Sequence, residues 1–294
     1  TLDGGASETA WWPWKGKGAE SQKPDRDRLF AMAEEGVPVE SRVFGAGNRL
    51  RPPFVQPYRC RNVLVEGVTI TNAPFWVIHP VLSKNVTVRN VRIVSHGPNN
   101  DGCDPESSTD VLIEDSLFDT GDDCIALKSG RNADGRRLAT PVERVVVRRC
   151  VMKAGHGGVT IGSEISGGAR DVFAERCEMS SPDLERGLRI KTNARRGGVV
   201  ENVFVRDVTI GEVGSAIDVD MLYEEGADGA FLPTVRNVRV ERMTVAKATH
   251  ALFLRALDGA PLRALSVRDS VFRDVAKGNR IEGTVDLDLS NVTF

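Results

Sequence analysis

Short apolar runs recur along the chain, each broken by a polar or glycine residue near its middle. Asn62–Ile70 reads NVLVEGVTI, and the pattern returns as NVTVRNVRI at Asn85 and DVLIEDSLF at Asp110. It continues as RVVVRRCVM at Arg144, DVFAERCEM at Asp171, NVFVRDVTI at Asn202 and NVRVERMTV at Asn237. ALSVRDSVF at Ala264 and DLDLSNVTF at Asp286 complete nine copies, separated by 22 to 35 residues. β-Branched residues on both sides of a polar break predict a strand, a bend and a second strand.

A second strand signal lies between these copies: CIALK, GVTIG, GLRIK, AIDVD and ALFLR. Alternation puts Ile125 and Leu127 on one face, with Val159 and Ile161, Leu188 and Ile190, Ile217 and Val219, and Leu252 and Leu254 stacked beside them. No repeat contains an amphipathic helix, which excludes helical solenoids, and the fixed leucine frame of leucine-rich repeats is missing. The expected architecture is an all-β, right-handed parallel β-helix, in which stacked turns bury one continuous core. It is read as one domain over residues 1–294.

The segment from Ala10 to Cys60 departs from the repeat. Asp25–Gly36 (DRDRLFAMAEEG) predicts a short helix stopped by Gly36 and Pro38. The rest predicts long loops, with Trp11, Trp12 and Trp14 covering an edge or end of the solenoid; stacking on sugar rings is the alternative. Ser129–Pro141 (SGRNADGRRLATP) predicts another loop, a basic flap carrying Arg131, Arg136 and Arg137.

Composition narrows the partners. A net charge of −2 argues against nucleic acid, and no apolar run approaches the roughly 18–20 residues of a membrane span. Cys60, Cys103, Cys124, Cys150 and Cys177 sit in apolar or strand-like stretches and read mostly as buried thiols. Cys150 and Cys177 share a slot in consecutive copies, so they are expected to stack without bonding.

The repeat register also gathers chemistry. Asp122–Asp123, alone, would be an ordinary solvated turn. Coils of a parallel β-helix, however, stack about 4.8 Å apart. Aligning Cys103 with Ile125 sets Asp101 beside Asp123, with Asp122 in the preceding turn. The next coil brings His156, and the one after it Arg189 and Lys191, pointing outward on the same sheet. Three acids, a histidine and two cations from four coils form a candidate site. His79, His96 and His250 have no such company and read as structural.

These residues resemble glycoside hydrolase family 28, the polygalacturonases. The resemblance rests on Asn99-Asn100-Asp101, Asp122-Asp123, Gly155-His156-Gly157 and Arg189-Ile190-Lys191, which match the family's four motifs in order. It implies hydrolysis of α-1,4-galacturonosyl bonds in pectin with inversion, Asp122 as general acid, and Asp101 and Asp123 activating water. His156 would sustain the acid or bind substrate, and Asn99, Arg189, Lys191 and Tyr223 would hold the sugar. Two cations beside the trio suit a uronate carboxylate. GSEISGG, after the histidine motif, resembles bacterial exo-acting members, and a flap closing one end of the groove would give exo cleavage. The resemblance further implies coils and a cap ahead of LDG, so the chain is expected to be a trimmed piece.

No metal or other cofactor is expected, because His156, Arg189 and Lys191 make a poor setting for a divalent cation. The expected partner is a galacturonan or pectin polysaccharide, with no nucleic acid and no membrane, acting on a secreted or periplasmic monomer. Two rivals stand beside this reading: a pectate-lyase-like β-helix, and a non-catalytic carbohydrate-binding β-helix.

Overall fold

The structure, a computed structural model, describes residues 1–294. Strand pairing is parallel from coil to coil, as the repeat requires. In one column of short strands, β1 (Ile125–Leu127), β2 (Val159–Gly162), β3 (Arg186–Lys191), β4 (Thr209–Asp220) and β5 (Thr244–Arg255) lie side by side. Ile125, Val159, Leu188, Ile217 and Leu252 form one inward ladder, and Leu127, Ile161, Ile190, Val219 and Leu254 another. All ten are buried, as alternation predicts. The fold is a parallel β-helix.

Each bend has a local cause. The first residue of eight copies is left-handed: Asn62, Asn85, Asp110, Arg144, Asp171, Asn202, Asn237 and Ala264 have φ between 51° and 58°. The polar or glycine break five residues on is left-handed too, as at Gly67, Asn90, Asp115, Arg149, Asp207 and Asp269. Asn, Asp and Gly tolerate that region, which turns the chain between strands at low cost. Arginine does not, but Arg144, Arg149 and Arg242 each pair with the aspartate in the same slot one coil earlier, at 2.7, 2.7 and 2.6 Å.

Cys103, Cys124, Cys150 and Cys177 are buried free thiols, and Cys60 is a half-buried one. Helix α1 spans Lys23–Glu35, with Gly36 left-handed at its C-cap (φ 73°). Trp12 donates its indole N–H to Ala73 O at 3.0 Å, clamping the N-terminal segment onto the coils as a cover.

The expected basic loop is instead a short helix, α2 (Asn132–Leu138). Gly135, which argues against a helix in sequence, sits where a Cβ would lie 2.7 Å from Gly130 O and 2.8 Å from Ser166 Cβ. Close packing explains it. The flap arginines are also already engaged. Arg131 pairs with Glu225 and lies over Phe30, and Arg136 donates to Arg195 O and lies over Phe231. Arg137 pairs with Asp134 and reaches Ala33 O. They fix α2 against α1 and the Tyr223–Phe231 loop rather than waiting for a uronate.

Candidate active site

The register delivers the carboxylates as expected. Cys103 bridges Ile125, and Gly102 N donates to Asp123 O at 2.9 Å, which seats Asp101 over Asp123. One oxygen each from Asp101, Asp122 and Asp123 lie within 4.8 Å of one another. Their surroundings differ sharply.

Asp123 is fully buried. Its Oδ1 accepts from Thr160 Oγ1 at 2.9 Å and Arg189 Nη1 at 3.1 Å, and its Oδ2 accepts from Lys191 Nζ at 2.7 Å. Burial alone would push this carboxyl up, but Lys191 and Arg189 outweigh it and hold it well below the usual carboxylate range. Asp101 is also buried, and its Oδ2 lies 3.4 Å from Lys128 Nζ. Burial, then the neighbouring Asp122, raises its carboxyl to about 7.

Asp122 alone of the three reaches solvent, with 14% of its side chain exposed. Three donors converge on it: the Asp123 N–H at 3.0 Å and His156 Nδ1 at 3.0 Å on Oδ1, and Asn99 Nδ2 at 3.3 Å on Oδ2. The hydrogen bond to Asp122 raises the His156 pKa against the opposing effect of burial. His156 is half exposed, and its ring is 3.8 Å from Glu185. It opens onto a polar cavity of about 870 Å³ lined by His96, Asp119, Lys153, Asp183 and Glu185 among others. His96 lines this cavity, its ring 3.3 Å from Asp119, and His79 is buried between Gln56 and Glu106.

Two expected sugar-binding groups also serve the trio. Arg189 and Lys191 are outside the core, as alternation predicts, but mostly covered, with 7% and 8% of their side chains exposed, and each gives one hydrogen bond to Asp123. Tyr223 stands over them, its ring 5.4 Å from the Arg189 guanidinium and 5.3 Å from Lys191 Nζ. The Asn99 amide is fixed from behind. Arg51 Nη2 donates to Asn99 Oδ1 at 2.7 Å, and because arginine only donates, the amide N–H₂ must turn toward Asp122.

Sequence reasoning missed four residues here. Thr160 is the β2 neighbour of Arg189 on the outward face, and Lys128 is the outward residue after Leu127, so the register could have found both. Arg51, from a non-repeating segment, carried no signal, and Glu164, which pairs with Lys128 at 3.2 Å, stood within GSEISGG with no role assigned to it.

The three acids are close enough to share a divalent cation, yet Lys128, Arg189, Lys191 and His156 already stand against them. Calcium sites instead take about 6–8 oxygens. The arrangement can hold one proton among crowded carboxyls, expose one of them, and keep the other two out of contact with bulk water.

Comparison with known proteins bears on the family and the fold. The family model for Glycosyl hydrolases family 28 matches residues 41–269. The crystal structure of a hyperthermoactive exopolygalacturonase from Thermotoga maritima is 44% identical and superposes with a TM-score of 0.91, covering 98% of this chain and 68% of that one. A "Probable polygalacturonase" of Vitis vinifera is 30% identical over 80% of this chain and 49% of its own length. Endopolygalacturonase B of Aspergillus niger is 29% identical over 69% of this chain and 54% of its own. The chain spans about half the length of the curated relatives it matches. The chain belongs to glycosyl hydrolases family 28.

Proposed function

We propose that this chain hydrolyses α-1,4-galacturonosyl bonds of galacturonan by single displacement, releasing product from a chain end. The observation that carries this is the division of labour within one carboxylate trio: Asp122 alone reaches solvent, beside the cavity-lining His156, while Asp101 and Asp123 are buried. Asp122 protonates the leaving glycosidic oxygen, oriented by His156 and Asn99. Asp101 and Asp123 take the proton of the attacking water.

Inversion needs an argument, because the three oxygens lie closer than the roughly 6.5–9.5 Å usual for inverting pairs. A retaining mechanism requires a carboxylate that can bond to the anomeric carbon. Both oxygens of Asp123 are already occupied by Thr160, Arg189 and Lys191, and the residue is fully buried. Water activation suits such a group better than nucleophilic attack.

The trio titrates as a unit, and the active form carries one proton. Exo action is supported by the recessed carboxylates and by the likeness to the Thermotoga protein. A polymeric substrate of this kind suits a secreted or periplasmic enzyme acting as a single domain over residues 1–294. No helix is long and apolar enough to cross a membrane.

The test is a time course on long oligogalacturonides, with proton NMR of fresh product. Early release of one small β-configured product supports the reading. A ladder of intermediate lengths overturns exo action, and an α-configured product overturns inversion. An unsaturated product abolished by chelator would favour the lyase instead.

A further inference from the structure

Behind the trio lies a second cluster of charges that the mechanism above does not use. Lys128 is buried, and its Nζ lies 3.4 Å from Asp101, 3.6 Å from Asp104 and 3.2 Å from Glu164 Oε2. Its ammonium also stands 4.4 Å from the Trp76 ring centroid. Asp104 is fully buried, and neither of its oxygens accepts a hydrogen bond from an N–H or O–H of the chain. An ionised carboxylate left so would carry an uncompensated desolvation cost. Asp104 shares the Lys128 ammonium with Asp101, whose Oδ1 is likewise buried without a hydrogen-bond partner.

We propose that Asp104 is a positioning residue: it stays protonated, donates its O–H to Asp101, and with Lys128 keeps Asp101 ionised, so that the trio's single proton resides on Asp122. This deepens the hydrolase reading and rests on it. The need is evident from the site itself. Burial favours a proton on Asp101, which is covered, whereas the general acid of the proposed reaction is the exposed Asp122.

The groups facing this pair are few. Asp122 and Asp123 approach from the turn of the next coil, Lys128 from the end of β1, Glu164 from the turn after β2, and Lys191 from β3. The Cys103 thiol lies on the core side. Burial, then repulsion from Asp101, raises the Asp104 carboxyl far above the ordinary aspartate range, which agrees with the geometry. Glu164 takes the opposite course. Burial would raise it, yet Lys128 and Lys191 bring it down to about 2, so it supplies the anion that balances Lys128.

Infrared spectra of the purified chain and of Asp104→Asn test the protonation state directly. At about pH 8, above the trio's proton loss, the wild type keeps a carboxylic-acid C=O band and Asp104→Asn lacks it. A wild type without the band, or a band that survives in Asp104→Asn, overturns the proposal. These spectra stand whether or not the chain cleaves galacturonan, so failure of the functional reading is separable.

The alkaline limb of kcat/KM tests the consequence. Asp104→Ala removes the donor, so Asp101 holds the proton more tightly. The limb moves up by about 1–2 pH units, as for one hydrogen bond to a charged group, and kcat falls at least about tenfold. Asp104→Asn keeps a neutral donor and leaves the limb in place. A limb that falls in Asp104→Asn identifies Asp104 as an anion and overturns the proposal, even if Asp104→Ala folds poorly.

Discussion

Replacing Lys191 by methionine separates two roles that the sequence left open, sugar binding and support of Asp123. The ammonium is the one donor to Asp123 Oδ2, at 2.7 Å, and 8% of its side chain is exposed. Methionine keeps much of the side-chain volume, so the change is chiefly electrostatic. Removing one partner of a buried ion pair costs about 3–5 kcal/mol. Arg189 and Thr160 still hold Oδ1, which places the loss near the lower end, about 3 kcal/mol. The pH dependence has a definite sign. Asp123, held below the usual range, contributes stability above the unfolded pKa of about 4 and loses it as pH falls through its folded value. Lys191, whose pKa is raised against burial by the Asp123 charge, contributes below about pH 10 and loses it only as pH rises through its folded value. The gap between wild type and variant is therefore full between about pH 5 and pH 9 and narrows as acid protonates Asp123. Urea unfolding at several pH values measures it, with a midpoint about 1 M lower near neutrality. kcat falls as well, since Asp123 loses its fixed orientation. A variant with the wild-type midpoint, normal kcat and only a raised KM would show that Lys191 serves the sugar and not Asp123.

Asp122→Asn lowers kcat by about 10²- to 10⁴-fold with KM and thermal stability nearly unchanged; more than about a tenth of wild-type turnover would remove it from the acid role. Arg51→Met frees the Asn99 amide and lowers kcat by about 10- to 100-fold, with a smaller change in KM; a pure KM effect in steady-state kinetics would contradict a positioning role. Wild-type kcat/KM declines as pH rises through about 7, where the trio loses the proton reflected in the raised Asp101 carboxyl; a profile level to about pH 9 would place that proton elsewhere. Ala264→Asn, at φ 51° in the slot held by Asn or Asp in most copies, stabilises by about 0.5–1 kcal/mol in thermal melts; any destabilisation would show that the slot does not select for left-handed tolerance.

The coils were legible because one short pattern is written nine times, so each copy corrects the reading of the others. Asp101, Asp122, Asp123, His156, Arg189 and Lys191 came together from register alone, since stacking converts spacing in sequence into adjacency in space. What register could not give was burial. Arg189 and Lys191 read as outward and therefore as free, but outward from the core is not outward to water when Tyr223 and neighbouring loops lie above. α2 was hidden by its Asn, Asp and Gly content, which is turn chemistry until close packing against Gly130 and Ser166 demands a glycine. Arg51 lies 48 residues from Asn99 in a segment without periodicity, where nothing but the folded structure could join them.

The N-terminal clamp has a kinetic meaning. Trp12, Arg42 and Arg51 are synthesised before their partners Ala73, Asp134 and Asn99, which follow by 61, 92 and 48 residues. Neighbouring coils, 22 to 35 residues apart, can stack as soon as each is made, whereas these closures span 48 to 92 residues. In refolding, β-sheet signal should therefore return before turnover does. The chain becomes a solenoid first, and its candidate site is complete only when the segment around Arg51 comes back to lie across it.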